Sequence, residues 1–332
     1  MEAKEPGKKV ISSLLNHKTL NRFMLLIILI MEVIAFSRLT PYFLKLNNLL
    51  SVGRGIANLG IVAIGQTMCI LTGGFDLSVG GTAALAGIVS AYFASPAFGN
   101  LPYGPALAIA LGVSLLVGVI NGLLISKVKI NPFIATMAMN FILGGVVILI
   151  SKNPISVNTP AYSFLGATTL GSVKFPLPIL ILVLLYTAFG FIMKYTVLGR
   201  RIYATGGNKE AARISGINVD KTIFFTYIFS SVLAGFGGIV LASRIATANP
   251  NIGSSYALET IAAAVLGGTI LSGGEGNIWG AFMGVLVTGL LSNGLIMIGV
   301  SQAWRDIATG IVLIFAIILQ IASKNSRGIS GK

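Results

Sequence analysis

Residues 104–126 read GPALAIALGVSLLVGVINGLLIS, a run that contains no charged side chain. A helix needs roughly 20 predominantly apolar residues to cross the hydrocarbon core of a bilayer. The run is therefore long enough to cross a membrane as one helix, and similar runs recur on both sides of it. The sequence predicts an all-α protein that crosses the membrane several times.

The composition of the whole chain leads to the same class. Of its 332 residues, 55% are hydrophobic and 10% are charged, whereas a soluble domain carries about 25% charged residues. The chain has 23 Lys plus Arg against 9 Asp plus Glu. The basic residues lie in short segments between apolar runs, which is typical of membrane topology and not of a nucleic-acid partner.

Marking every apolar run predicts about ten membrane segments, within a range of eight to eleven. They are 23–40, 55–72, 79–97, 104–126, 132–151, 177–194, 222–243, 257–271, 278–299 and 304–322. Glycine-rich stretches near 73–81 and 267–276 interrupt the pattern, and the eighth run is short. We therefore expect one or two half-helices or re-entrant turns at these breaks.

The distribution of basic residues predicts the orientation. If both termini are cytoplasmic, 16 Lys and Arg residues lie on the cytoplasmic side and seven on the other. This predicts a cytoplasmic N-terminal segment 1–22, a transmembrane domain 23–322 with a cytoplasmic connection at 195–221, and a cytoplasmic tail 323–332. The apolar run from residue 23 lacks a small-residue cleavage site, so we interpret it as a first span and not a removable signal.

Pairs of small residues four positions apart mark faces where helices approach closely inside lipid. They are Gly118 with Gly122, Ala234 with Gly238, and Gly280 with Gly284. Such pairs predict a tightly packed multi-helix bundle.

The connection 195–221 contains a second local signal. Asn208 is placed to cap a short helix from Lys209 to Ser215, and Gly216 is placed to end it. The small residues Ala211 and Ala212 would leave a flat face on which another protein can lie. The alternative is a solvated connection with no partner.

This stretch resembles the coupling-loop motif of ABC importer permeases. The pattern Glu-Ala-Ala-x-x-x-Gly occurs at 210–216, and the preceding residues at 199–208 are similar to the ribose-type branch, as are GGFDLSVG at 73–80, FIAT at 133–136 and IAAAVLGGT at 261–269. The resemblance covers roughly residues 40 to 320. It implies a permease subunit of a monosaccharide importer in the bacterial inner membrane.

The resemblance also implies partners and an ATPase-coupling site. The partners are a cytosolic ABC ATPase, a second permease subunit that is a copy or a paralogue, and an extracytoplasmic solute-binding protein. The implied coupling residues are Gly199, Arg200, Tyr203, Gly207, Asn208, Glu210, Ala211, Ala212 and Gly216. The chain has no phosphate-binding loop of the type Gly-x-x-x-x-Gly-Lys-Ser/Thr, so a separate subunit would hydrolyse ATP.

Polar residues inside the apolar runs are candidates for a solute path or gate. They are Asp76, Ser78, Asn121, Thr136, Asn140 and Asn293. Each also has a structural interpretation: Asp76 or Ser78 can cap the third segment, and the amides and the threonine can bond between helices. The same two interpretations hold for Glu32 in the first segment.

Three charged residues fall near the predicted extracytoplasmic ends. Arg244, Glu259 and Arg305 can pair locally or can meet charges on an incoming binding protein. The sequence leaves both interpretations open.

No catalytic, metal or cofactor site is indicated. The chain has one histidine, His17, which precedes the first span, and one cysteine, Cys69, inside an apolar run. We therefore predict a transporter subunit and not an enzyme. The alternatives are an ion-coupled secondary carrier and a related permease for nucleosides or branched-chain amino acids.

Overall fold

A computed structural model describes residues 17–172 and 174–305, and beyond these residues 307, 308, 310, 311, 314 and 318. Most of the predicted tenth segment, 304–322, lies outside the described residues, as does the predicted tail 323–332.

The continuously described helices and strands follow one another in a fixed order. The helices are α1 (His17–Leu39), α2 (Leu46–Leu71), α3 (Val79–Ala94), α4 (Tyr103–Ser126), α5 (Pro132–Ile150), α6 (Pro160–Ala167), α7 (Leu177–Tyr195), α8 (Val197–Gly207), α9 (Lys209–Ile214), α10 (Val219–Arg244), α11 (Tyr256–Leu266) and α12 (Ile278–Met297). The strands are β1 (Ile155–Ser156), β2 (Thr169–Leu170), β3 (Phe175–Pro176) and β4 (Thr247–Ala248). Strand β1 pairs with β4 and β2 pairs with β3, both antiparallel.

Within the described residues, the helices α2, α4, α5, α7, α10 and α12 are long and apolar enough to cross a membrane. Helix α11 has 11 residues and spans about 16 Å, which is roughly half of a hydrocarbon core. It ends at Leu266, directly before the glycine-rich stretch 267–276. The prediction of an all-α polytopic protein is confirmed. The short apolar helix α11 ends at the second glycine-rich break, where a half-helix is expected.

Two helices form the centre of the bundle. Helix α10 packs against α2, α3 and α4, and α2 also contacts α7, α11 and α12. In its most apolar stretch α2 has 89% of its residues buried, compared with 28% for α5 and 22% for α7. Helices α5 and α7 therefore lie at the periphery, and their exposed apolar side chains form a lipid-facing surface.

Helix α2 begins at Leu46, earlier than the predicted boundary at residue 55. Asn47, Asn48 and Arg54 lower the hydropathy of its first turns, so the apolar run in the sequence starts later than the helix. Asn48 is nevertheless satisfied inside the bundle, where it exchanges amide hydrogen bonds of 3.0 and 3.2 Å with Asn293 of α12.

The predicted small-residue pairs lie at helix contacts, as expected. A Cβ atom at Gly238 would lie 2.1 Å from the carbonyl oxygen of Ala83, and one at Gly284 would lie 2.0 Å from that of Ala263. At Gly118 it would lie 2.8 Å from the Cα of Ile228. These distances are too short for any side chain, so the glycines permit the backbones to approach.

Candidate functional site

Helix α9 has the predicted cap and the predicted end. The Asn208 side-chain oxygen accepts hydrogen bonds from the backbone N–H groups of Glu210 and Ala211, at 2.9 and 3.0 Å. Gly216 has a φ of +79°, a left-handed conformation that ends helices and favours glycine. The helix extends to Ile214, one residue less than predicted.

The exposed face of α9 differs in part from the expectation. Glu210 and Ala211 are exposed, but Ala212 is buried and packs under the helix with Cys69 and Ile223. Ala212 is therefore part of the core and not of the predicted flat face. The exposed face of α9 instead includes Ile214, which is 82% exposed and was not singled out from the sequence.

Helix α8 was missed because the sequence of 195–221 is charged and rich in glycine. The Thr196 hydroxyl accepts a hydrogen bond of 3.5 Å from the N–H of Gly199 at its start. Gly199 is buried, and a Cβ atom there would lie 2.2 Å from the carbonyl oxygen of Met193. Gly199 therefore permits the sharp turn from α7 into α8, while Arg200 on the next position is exposed.

The C-terminal part of α8 packs against both glycine-rich breaks. The Gly274 N–H donates a hydrogen bond of 3.0 Å to the carbonyl oxygen of Leu71, and Gly206 lies against both residues. A Cβ atom at Gly206 would lie 1.8 Å from the Leu71 oxygen and 2.5 Å from the Gly274 nitrogen. We call this meeting of residues 71–74, 206–207 and 273–276 the break junction.

Tyr203 ties α8 to the second break. Its hydroxyl donates a hydrogen bond of 3.0 Å to the carbonyl oxygen of Gly276. Burial raises the pKa of Tyr203, so the hydroxyl keeps the proton that it donates. Tyr203 therefore contacts the permease core and does not project outward, although the resemblance assigned it to the coupling loop.

Charged side chains form ion pairs on and beside α9, and the pair of Arg213 with Asp220 joins it to α10. Arg213 lies 3.5 Å from Glu210 and 3.7 Å from Asp220 at the start of α10, and Asp220 also pairs with Lys129 after α4. These side chains are substantially exposed, so each pair contributes at most about 1 kcal/mol.

Asp76 is the centre of a buried polar cluster beside the first break. Its side chain has no exposed surface. One carboxylate oxygen accepts from the Ser78 N–H at 3.0 Å and from the Ser78 hydroxyl at 2.6 Å, and the other accepts from the Ser230 hydroxyl at 2.7 Å. The Asn121 amide donates to the Ser78 hydroxyl at 2.9 Å. Ser78 itself makes no capping bond. The Asp76 carboxylate is instead the hydrogen-bond acceptor for the backbone N–H before α3.

Helix α5 holds the same stretch from the other side. The Thr136 hydroxyl accepts a hydrogen bond of 3.0 Å from the Leu77 N–H, and the Asn140 side-chain oxygen accepts one of 2.9 Å from the Gly81 N–H. Thr136 has no exposed surface. Five of the six predicted path residues thus come together, bonded to the first break or to one another. Asn293 lies apart, in its pair with Asn48.

The three charged candidates do not form one group. Arg244 ends α10 beside Gly55 of α2, next to a cavity of about 540 Å³ that Arg54 and Lys174 help to line. Glu259 lies in the first turn of α11, deeper in the bundle than predicted, because this half-helix begins beside the middle of α2. Arg305 bonds to Gln302.

Comparisons with known proteins agree with this architecture. The family model of the branched-chain amino acid transport system permease component matches residues 48–317. The chain is 36% identical over 300 residues to the ribose import permease protein of Escherichia coli strain K12, covering 89% of this chain and 92% of the relative. It is 41% identical over 292 residues to the ribose import permease protein of Bacillus subtilis strain 168, covering 86% and 88%.

A fructose import permease protein of Rhizobium meliloti is 33% identical over 306 residues, covering 89% of this chain and 83% of that one. No solved structure matches the chain. The resemblance found in the sequence motifs is confirmed, and with it the prediction of a membrane permease subunit. The chain belongs to the family of branched-chain amino acid transport system permease components, and it is similar to ribose and fructose import permeases over 86–89% of its length.

Proposed function

We propose that this chain is the membrane subunit of an ATP-driven importer that moves a sugar or a related neutral polyol. The observation that carries the proposal is the similarity to ribose and fructose import permeases over 86–89% of the chain. A neutral solute also fits the chemistry of the spans. Among the described residues, Asp76 is the one acidic side chain without exposed surface, and its hydrogen bonds hold backbone and hydroxyl groups.

We assign the docking of a cytosolic ATPase to α9. Exposed Ile214, next to exposed Glu210 and Ala211, gives an apolar spot with a charged rim, which is typical of the centre of a protein interface. An isolated apolar side chain of this exposure would gain free energy from burial against a partner.

The break junction connects α9, through α8, to the membrane helices, so a force that the ATPase applies to α9 can reach them. Motion of α9 would move α8, and α8 contacts both breaks through Gly206 and Tyr203. The first break leads directly into the Asp76 cluster. We propose that closure of two ATPase subunits thereby shifts α3 and α11 and alternates access to a path between two permease copies.

The end of the bundle near Arg244 is our candidate for receptor docking. Arg54, Lys174 and Arg244 bring basic side chains to one cavity and its rim. Acidic side chains on a binding protein would complement them and would speed encounter at low salt. In this orientation α9 and both chain termini face the cytoplasm, in agreement with the excess of basic residues there.

Co-purification tests the assignment of α9. An affinity-tagged chain, expressed with its candidate ATPase, should retain the ATPase, and Ile214→Asp should abolish retention. Ile245→Asp is the matched control, because Ile245 is 50% exposed beyond the other end of α10. Equal retention by the Ile214→Asp variant and the parent chain would overturn the assignment of α9.

A further inference from the structure

The connection between α10 and α11 is polar and exposed. Residues 249–255 read NPNIGSS, and the side chains of Asn251, Ser254 and Ser255 are all exposed. The whole stretch 245–258 contains no charged residue. Its composition is that of a surface turn, and the backbone forms turns there, including a bond of 2.9 Å from the Asn251 N–H to the Asn249 side chain.

Contacts with α2 place this segment deep in the bundle. The Asn58 amide donates a hydrogen bond of 2.9 Å to the hydroxyl of Tyr256, the first residue of α11. Asn58 lies midway along Leu46–Leu71, about 18–20 Å from either end at 1.5 Å per residue. Segment 249–255 therefore enters the protein to roughly half the length of its central helix.

Contacts with α3 and α5 give the same depth independently. A Cβ atom at Gly80 would lie 2.4 Å from the carbonyl oxygen of Gly253, so the two backbones touch. The adjacent Gly81 N–H bonds to Asn140, which lies midway along Pro132–Ile150. Helix α5 is lipid-facing, and its exposed side chains include Phe141 at 69% and Ile142 at 58% exposure. Because α5 has the length and apolarity of a membrane span, we take its midpoint as the middle of the hydrocarbon layer.

Lipid cannot cover a segment of this kind at this depth. Irregular backbone within the hydrocarbon region occurs where it is buried in protein or lines a water-filled cavity, because lipid offers its polar groups no hydrogen bonds. Each unsatisfied hydroxyl or amide would cost roughly 2–7 kcal/mol there. The exposed face of 249–255 must therefore meet either water or another polypeptide.

We propose that Asn251, Ser254 and Ser255 line the water-filled solute path and bind the hydroxyl groups of the passing sugar. The assignment rests on the proposed function. An amide and two hydroxyls can both donate and accept hydrogen bonds, as sugar hydroxyls do, and no charge is present to retain the solute. These contacts can be exchanged with water at each step, which suits passage better than tight binding.

The assignment separates two sets of polar residues at similar depth. The side chains of Asp76, Ser78, Asn121 and Thr136 have no exposed surface and hold the first break. Asn251, Ser254 and Ser255 are exposed, and they flank Gly253, whose backbone touches Gly80. The first set is structural and the second contacts solute.

Cysteine labelling tests whether segment 249–255 is exposed to water. The chain has one cysteine, Cys69, which is buried, so Cys69→Ala provides the background. Asn251→Cys, Ser254→Cys and Ser255→Cys are made singly, with Phe141→Cys as the lipid-facing control at the same depth. The complete transporter in membrane vesicles is treated with a charged, membrane-impermeant methanethiosulfonate, which reacts with the thiolate.

We expect labelling of the three path positions to be on the order of 100-fold faster than at residue 141, because thiolates form in water and not in lipid. Rates as slow as at residue 141 in all three variants would overturn the proposal and indicate a dry contact with the second permease subunit. Retention of nucleotide-dependent ribose uptake in the same vesicles would show that only this inference has failed.

Uptake by leucine variants tests the contact with solute. Asn251→Leu and Ser254→Leu should lower the maximal rate of ribose uptake at least about tenfold while the ATPase stays bound, since two apolar side chains cannot replace the lost hydrogen bonds. Phe141→Leu should transport normally. Unchanged uptake in both path variants would overturn the sugar contact, and loss of uptake in the parent chain with all partners present would instead refute the proposed function.

Discussion

The hydroxyl of Tyr203 donates a hydrogen bond of 3.0 Å to the carbonyl oxygen of Gly276, and this bond joins the segment before α9 to the break that follows α11. The two residues are 73 positions apart in sequence. Together with the packing of Gly206 on Leu71 and Gly274, it joins α8 to both glycine-rich breaks at their meeting point.

Removing this hydroxyl should weaken coupling without unfolding the protein. Tyr203→Phe loses one hydrogen bond of about 1 kcal/mol and keeps the ring. We expect fewer sugar molecules transported per ATP hydrolysed, measured as the ratio of the two rates in vesicles. Tyr195→Phe is the control, because the Tyr195 ring is 59% exposed. An unchanged ratio would show that the bond plays no part in coupling.

The break junction should tolerate no side chain at Gly206. Gly206→Ala places a Cβ atom 1.8 Å from the Leu71 carbonyl oxygen, so either α8 or a break must move. We expect a loss of thermal stability in detergent of several degrees. Gly207→Ala meets nothing within 4 Å and should melt with the parent chain. Equal melting temperatures for both variants would contradict the close packing.

The Asp76 cluster distinguishes a structural carboxylate from a gating charge. Asp76→Asn keeps an oxygen to accept from Ser78 and should retain uptake and stability. Asp76→Ala leaves the buried Ser78 and Ser230 hydroxyls without their acceptor, and it should destabilise the protein by roughly 2–6 kcal/mol. Uptake and thermal melting measure the two effects. Loss of transport in a stable Asp76→Asn variant would favour charge-dependent gating.

Glu210 should matter for the partner and little for the fold. Its side chain is 73% exposed, and its pair with Arg213 contributes at most about 1 kcal/mol. Glu210→Ala should therefore leave the melting temperature unchanged and lower ATP-dependent uptake about tenfold, the cost of one charge-assisted hydrogen bond to the ATPase. Gly216→Pro should also lower uptake, because proline cannot adopt the φ of +79° that ends α9 and lacks the N–H that bonds to the Arg213 carbonyl oxygen. Normal uptake by both variants would remove the assignment of α9.

Local composition predicts most of the helices of the fold. Apolar runs predict the spans because a bilayer requires length and apolarity alone, and Asn208 and Gly216 predict α9 because capping is a local effect. Helix α8 was missed because its stability comes from packing on residues far away in sequence, such as Leu71 and Gly276. Segment 249–255 lies in the connection between the predicted segments 222–243 and 257–271, but its depth follows from contacts with Asn58 and Gly80 that no local pattern encodes.

The candidate site was predictable to a similar extent. The polar residues around Asp76 are visible in the sequence, yet their convergence depends on how α3, α4, α5 and α10 pack. Convergence changed their interpretation, because the oxygens of Asp76, Ser78, Thr136 and Asn140 accept or donate hydrogen bonds within the protein. The exposure of Ile214 likewise follows from the direction of a six-residue helix and not from its sequence.

The central claim is that this chain supplies the path and another subunit supplies the energy. Proteoliposomes containing this chain alone, or this chain with its ATPase and its solute-binding protein, can be tested for accumulation of radiolabelled ribose. We predict accumulation above the external concentration only in the complete assembly with ATP inside the compartment that faces α9. Accumulation by the chain alone under an ion gradient would contradict this account and would identify a secondary carrier.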